Sequence, residues 1–293
     1  MPDGSRTGKK ELPDRPEELC RQVDYCSGGD ESWKSAFRRV GTALAGRLTE
    51  PFFFLGGVIL ALPGLFRRRG LRWQDVRYYL DLCGTQSLPI VILISVLMGA
   101  VLALQAALQM QKVGTEIFVV DLVGYAVIKE FGPLMVAMIA TGRAGSAFAA
   151  EIGTMKVNEE ISALATMGIR PEGYLVFPKL LAMVLAMPVL TVFGDAAGIL
   201  GGMFVGVSWL EFPAAVYWER TVTALNPVSL LLGVLKSIPF SVLITLCGCY
   251  CGFTASGDAQ GVGRGATRAV VLSIFYVVVA DAVITMLYSF IGY

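Results

Sequence analysis

The sequence predicts an all-α integral membrane protein. It has an N-terminal interfacial helix, five transmembrane helices, and a short charged helix on the water side between spans two and three. Charged residues make up 16% of the 293 and hydrophobic ones 55%, whereas a soluble domain carries about 25% charged residues. Mean hydropathy is +0.65, so lipid is the expected solvent. Five apolar runs reach the roughly 20 residues a helix needs to cross a bilayer. One stretch of small and charged residues, Gly132 to Pro178, joins the second run to the third.

The same composition excludes several function classes. A net charge of +1 lacks the concentrated basic face of a nucleic-acid binder. Histidine is absent, which removes the commonest general base and the commonest metal ligand. Cys20, Cys26, Cys83, Cys247, Cys249 and Cys251 form no C-x2-C pair, and a zinc site without histidine needs four thiolates to converge. No metal or cofactor is expected in this chain. It has no G-x-x-x-x-G-K-[ST] loop to cradle ATP. The turn beginning at Gly142 has neither the spacing nor the histidine of a serine-hydrolase elbow, so no enzymatic activity is expected.

Residues 1–37 are polar and mixed in charge, and are expected to be a disordered cytosolic tail with no cleavable leader. Residues 38–87 form the interfacial part. Within it Phe52 to Phe66 is apolar but short for a span, is punctuated by Pro51 and Pro63, and runs into Arg67-Arg68-Arg69. A helix lying in the interface with arginines on lipid phosphates fits this pattern. A further crossing is the alternative, and it would move the N-terminus to the other side. Trp73 to Leu82 reads as a short amphipathic approach to the membrane.

Residues 88–293 hold the five spans. Span one is Leu88 to Met110. Span two, Ile117 to Ala150, is long for one straight crossing, and Gly132-Pro133 is expected to kink or divide it, because proline lacks the amide N–H. Gly142, Ser146 and Ala150 form a small-xxx-small ridge of the kind that lets helices approach closely. Span three, Leu175 to Val207, carries a longer ridge of Gly194, Gly198, Gly202 and Gly206, with Asp195 beside it. Span four is Val228 to Phe253. A polar, glycine-rich loop is expected before span five, Ala269 to Ile291. Lysine and arginine concentrate on the joint side, at Arg143, Lys156, Arg170, Lys179, Arg264 and Arg268. The positive-inside rule then puts the joint and the N-terminus in the cytoplasm and the C-terminus outside.

An ionisable group at membrane depth costs about 2.5–3.5 kcal/mol to insert. Here these groups are Lys129, Glu130, Asp195, Lys236 and Asp281. They either pair with one another or line a polar path for a charged headgroup. Lys236 lies near the outer end of its span, where its stem could snorkel. In the joint, Ile161, Leu164 and Met167 recur at helical spacing while Glu159 and Glu160 face elsewhere. Gly168 suits a C′ position, and Pro171 stops the helix. A helix lying on headgroups carries a basic polar face. Two glutamates against the single Lys156 favour a protein partner instead.

The joint resembles the MlaE/YrbE family of ABC-transporter permeases. The matching residues are K-E-F-G-P (Lys129 to Pro133), G-R-A-G-S-A-F-A-A-E-I-G-T-M-K-V-N-E-E-I-S-A-L (Gly142 to Leu164) and M-G-I-R-P (Met167 to Pro171). Further on, D-A-A-G-I-L-G-G (Asp195 to Gly202), Leu235 to Ser237, Gly248 to Gly252, Gly261 to Arg264, Thr267 to Val271 and Asp281 also fit. The resemblance runs from about Phe52 to the C-terminus. It departs at Ala266-Thr267, where the family often has paired threonines.

The resemblance implies an inner-membrane permease acting as a homodimer. It implies a cytosolic ABC ATPase that binds the ATP and docks on a coupling helix at Glu151 to Leu164, and a periplasmic lipid-binding partner with an MCE domain. The implied cargo is phospholipid or a related lipid moved between inner and outer membranes, with Lys129 and Glu130 lining its cavity. Arg143, Glu151, Met155, Lys156, Glu159, Glu160, Ile161, Leu164 and Arg170 are the expected ATPase-contact residues. A proton-coupled secondary carrier using Glu130, Asp195 or Asp281 is the alternative. That reading calls for internal repeats or paired broken helices, and no convincing repeat is visible.

Overall fold

Continuous apolar runs leave the backbone only one way to satisfy its polar groups in lipid, which is to coil on itself. All regular structure among the described residues is accordingly helical. The structure, a computed structural model, describes residues 73–112, 114–115, 118–169, 171–209, 212–224 and 227–291. The expected tail, the stretch Phe52 to Phe66 and Arg170 lie outside the described residues.

The helices are α1 (Trp73–Leu80), α2 (Leu88–Met110), α3 (Phe118–Ala126), α4 (Gly132–Ala140), α5 (Ser146–Val157), α6 (Glu160–Thr166), α7 (Pro171–Trp209), α8 (Ala214–Ala224), α9 (Pro227–Phe253) and α10 (Ala259–Ile291). Five stretches are long and apolar enough to cross a membrane: Trp73–Met110, Phe118–Val157, Pro171–Trp209, Pro227–Phe253 and Ala259–Phe290. These are the five expected spans, each extended beyond its apolar run.

Span two is divided as Pro133 requires, but by π-helical turns rather than a simple kink. Val127–Phe131 and Thr141–Gly145 are such turns, and a third, Asp81–Thr85, links α1 to α2. At the first of them the Gly132 amide reaches back to the Val127 carbonyl, and Pro133 follows with no amide to donate. Single π-turns of this kind are frequent at functional sites, and this one carries Lys129 and Glu130.

Span three begins earlier than expected. Pro171 opens α7 instead of only stopping the helix before it, as its fixed φ and missing donor allow at a first helical position. The loop expected before span five is also mostly helix. The Gly261 and Val262 amides bond the Asp258 carbonyl at 2.9 and 3.3 Å, so α10 starts at Ala259. The Ser256 hydroxyl, and secondarily Arg264, holds the exposed Asp258 carboxyl below its ordinary pKa at this helix start.

α7 is the central element. Of its most apolar window 56% is buried, against 17% for α10, which leaves α10 with a broad outward face. The core around α7 contains Val91, Val136, Phe148, Met183, Met187 and Phe240. The glycines of α7 lie where neighbouring side chains come close. A Cβ at Gly194 would stand 2.9 Å from Val136 and one at Gly198 2.9 Å from Val127. A Cβ at Gly202 would stand 3.0 Å from the Tyr217 hydroxyl of α8, and one at Gly206 2.8 Å from the Tyr217 ring. Burial where α8 docks on this ridge pushes the Tyr217 phenol up to about 12. The ridge expected on span two differs. A Cβ at Gly142 meets nothing within 4 Å, Gly142 being exposed and Ser146 half-buried. Their neighbour Gly145 makes the close approach, to Gly248 of α9 at 2.8 Å.

Candidate functional site

Helix direction sorts the charged residues into two levels. α9 runs toward the joint and α10 away from it, so Lys236 and Asp281 both fall in the half far from the joint, at the level of Glu130. Lys236 Nζ donates to Glu130 Oε2 and to Thr285 Oγ1, each at 2.8 Å, and makes an ion-pair contact with Asp281 Oδ1 at 2.6 Å. Thr285 in turn donates to Glu130 Oε1 at 3.1 Å. The side chain of Lys236 is 0% exposed and that of Glu130 37%. Lys236 therefore does not snorkel: its ammonium is committed to three partners inside the chain. Pairing between the expected charges is real, yet it leaves Glu130 reachable from outside.

Lys129 stands beside this cluster and takes no part in it. Its Nζ lies 4.5 Å from the centre of the Tyr125 ring, and no carboxylate among the described residues lies within ion-pair distance of it. Asp195 is set apart differently. It is 1% exposed, and neither carboxyl oxygen has a hydrogen-bond partner among the described residues. One oxygen packs directly against Gly132, where a Cβ would overlap it. Asp195 is thus enclosed between α7 and α4 and does not join the Glu130 cluster.

A second cluster lies at the joint end, and sequence reasoning missed it. Tyr79 of α1 donates to Glu151 Oε1 at 2.5 Å, and Lys179 of α7 donates to the Tyr79 hydroxyl at 3.1 Å. Lys179 also pairs with Glu151 at 3.2 Å, with its own side chain 0% exposed. Its ammonium lies 4.6 Å from the Tyr79 ring centre. Lys179 reads in sequence as one more loop cation. The signal against that reading was its place directly after Pro178 in an apolar run. At the opposite end, Arg220 of α8 pairs with Asp121 of α3 at 3.1 Å and lies over Phe118.

The joint is two helices rather than one. α5 ends at Val157, and Glu159 adopts φ 60°, the left-handed region rare for a side chain. α6 then runs from Glu160 to Thr166 with no buried residue. Gly168 follows at φ 72°, as its C′ position requires. Glu159 and Glu160 are exposed, Ile161 and Leu164 half-buried, and Met167 is exposed. Arg143 is exposed and donates to Gln86 at 3.2 Å. Glu151 and Lys156 are turned inward: Glu151 to Tyr79 and Lys179, Lys156 to the carbonyls of Phe253 and Ala255.

The arrangement is a five-span bundle with an ion cluster at each level and an exposed acidic helix at one end. The family model for the MlaE permease matches residues 77–287. This chain belongs to the MlaE permease family. A Rickettsia conorii protein described as a probable ABC transporter permease is 37% identical over 205 residues, which cover 70% of this chain and 79% of that one. The intermembrane phospholipid transport system permease protein MlaE of Haemophilus influenzae is 31% identical over 234 residues, 80% of this chain and 88% of that one. The chloroplastic protein trigalactosyldiacylglycerol 1 of Arabidopsis thaliana is 29% identical over 215 residues, 73% and 61% of the two chains. The chain is thus a multi-pass membrane protein and an ABC-transporter permease homologous to the phospholipid-transport MlaE.

Proposed function

We propose that this MlaE-family permease moves phospholipid or a related lipid between inner and outer membranes, driven by ATP hydrolysis in a separate cytosolic subunit. The observation that carries the lipid reading is the Glu130, Lys236 and Asp281 cluster with Lys129 beside it. Charge at this depth is costly, and Lys236 pairs with both carboxylates, its one positive charge shared between them. Among the described residues this leaves the Lys129 ammonium, stacked on Tyr125, outside those pairs and placed to meet a lipid phosphate. Lys129→Ala is expected to lower the phospholipid recovered with the detergent-solubilised protein about fivefold, the value of roughly 1 kcal/mol for one lysine on an anionic lipid. Unchanged recovery by lipid mass spectrometry would remove Lys129 from the path.

The exposed α6 supports the ATPase side of the proposal. Its acidic residues suit a basic groove on a protein, with Ile161 and Leu164 half-buried on the same helix. Exchanging Glu159→Lys together with Glu160→Lys is expected to abolish co-purification of the ATPase. If the ATPase is retained in that variant, docking lies elsewhere. A homodimer, a periplasmic MCE-domain partner, a cytoplasmic N-terminus and a periplasmic C-terminus complete the proposed assembly. The broad outward face of α10 and the lysine and arginine bias of the joint support it. A mild-detergent pull-down of the full chain that yields a homo-oligomer without an ATPase would overturn this reading and turn attention to the proton-coupled carrier.

A further inference from the structure

α6 is short, exposed and separated from α5 by the left-handed turn at Glu159. A displacement of α6 reaches the spans only if the end of α5 is held. Packing holds its upper part: a Cβ at Gly252 of α9 would stand 2.7 Å from Ile152, and one at Gly153 would stand 3.4 Å from Val262 of α10. Beyond Gly153, the last turn is tied to the end of α9 by the Lys156 side chain. Its half-buried ammonium donates to the Phe253 carbonyl at 2.7 Å and the Ala255 carbonyl at 2.8 Å. These are carbonyls at the C-terminal end of α9 and in the turn toward α10. A helix C-terminus carries unsatisfied carbonyls and partial negative charge, so a cation there is held by both.

We propose that Lys156 is a positioning residue for transport, clamping the last turn of α5 to the α9–α10 turn so that movement of α6 is passed to spans four and five. The proposal rests on the ABC-permease reading. Without the clamp, movement of α6 is absorbed at the end of α5.

The test uses the full chain with its co-expressed ATPase in phosphatidylethanolamine–phosphatidylglycerol liposomes. Spin labels are placed at Leu93→Cys on α2 and Met286→Cys on α10, both outward-facing, with Cys20 and Cys26 replaced by serine. In the parent protein, ATP with vanadate shifts the label-to-label distance. In Lys156→Met, which keeps the apolar stem, the ATPase still co-purifies and hydrolyses ATP within about twofold of the parent, while the shift is lost. Lys156→Arg restores the shift. An equal shift in Lys156→Met overturns the clamp, and so does loss of the ATPase from that variant, which would make Lys156 a docking residue. If Lys156→Met fails to fold, Lys156→Gln carries the same comparison. A parent protein that captures no ATPase fails earlier, at the ABC reading itself.

Discussion

Replacing Lys236 with methionine is expected to destabilise the protein by about 3–5 kcal/mol, the cost of removing one partner from a buried ion pair. The ammonium is fully enclosed and serves Glu130, Asp281 and Thr285 at 2.6–2.8 Å. Without it two carboxylates that shared one cation repel each other, and Asp281, its side chain 16% exposed, has little water to replace the pairing. Removing the repulsion as well is therefore expected to recover much of the loss, so Lys236→Met with Asp281→Asn should be more stable than Lys236→Met alone. Thermal unfolding of the detergent-solubilised variants checks both statements. If the single variant melts with the parent, water reaches the cluster well enough to make the pairing dispensable. If the double variant melts below the single one, Asp281 has a structural role beyond its charge. Lipid recovery from the double variant then separates stability from function, since the cluster regains its parental net charge while Glu130 keeps no ammonium partner beside Lys129.

Gly99→Val is the second large effect, expected to cost about 3 kcal/mol or more, as forced overpacking does when neighbours cannot yield. α2 and α7 form the most extensive helix contact among the described residues. A Cβ at Gly99 would overlap the Gly198 carbonyl, and one at Gly201 would overlap the Val96 carbonyl. Both obstacles are backbone atoms, so no rotamer change relieves them and the two helices must separate. Gly142→Ala is the contrasting substitution. With nothing within 4 Å of the added methyl, it is expected to be neutral or to gain up to about 1 kcal/mol of helix propensity. Equal melting temperatures for Gly99→Val and Gly142→Ala would contradict the crossing.

The spans, the division of span two at Pro133 and the α7 glycine ridge were legible from the chain alone. Each follows from a local rule: apolar length against bilayer thickness, a missing proline amide, small residues every fourth position. The ends of the helices were less legible. Ala259 to Arg268 is rich in glycine and polar residues, and it is helical because it packs on α5 and is started by Asp258. Local propensity does not carry that information. The ridge at Gly142 shows the same limit, because spacing states that a small face exists but not which neighbouring helix it meets.

The sequence by itself determined the class of the protein, its five crossings and the set of charges that must be explained at membrane depth, since these depend only on composition and period along one helix. Only the tertiary structure decided who partners whom. Glu130, Lys236, Asp281 and Thr285 come from three helices, as do Tyr79, Glu151 and Lys179, and up to 155 residues of chain separate members of the first group. It also left Asp195 without a hydrogen-bond partner among the described residues and engaged Glu151 and Lys156 with groups of the chain's own helices. Pairing at this depth is set by the rotation and height at which helices pack. Those are properties of the whole bundle, in which each ammonium settles where desolvation is repaid by the carboxylates and carbonyls that other helices bring to it.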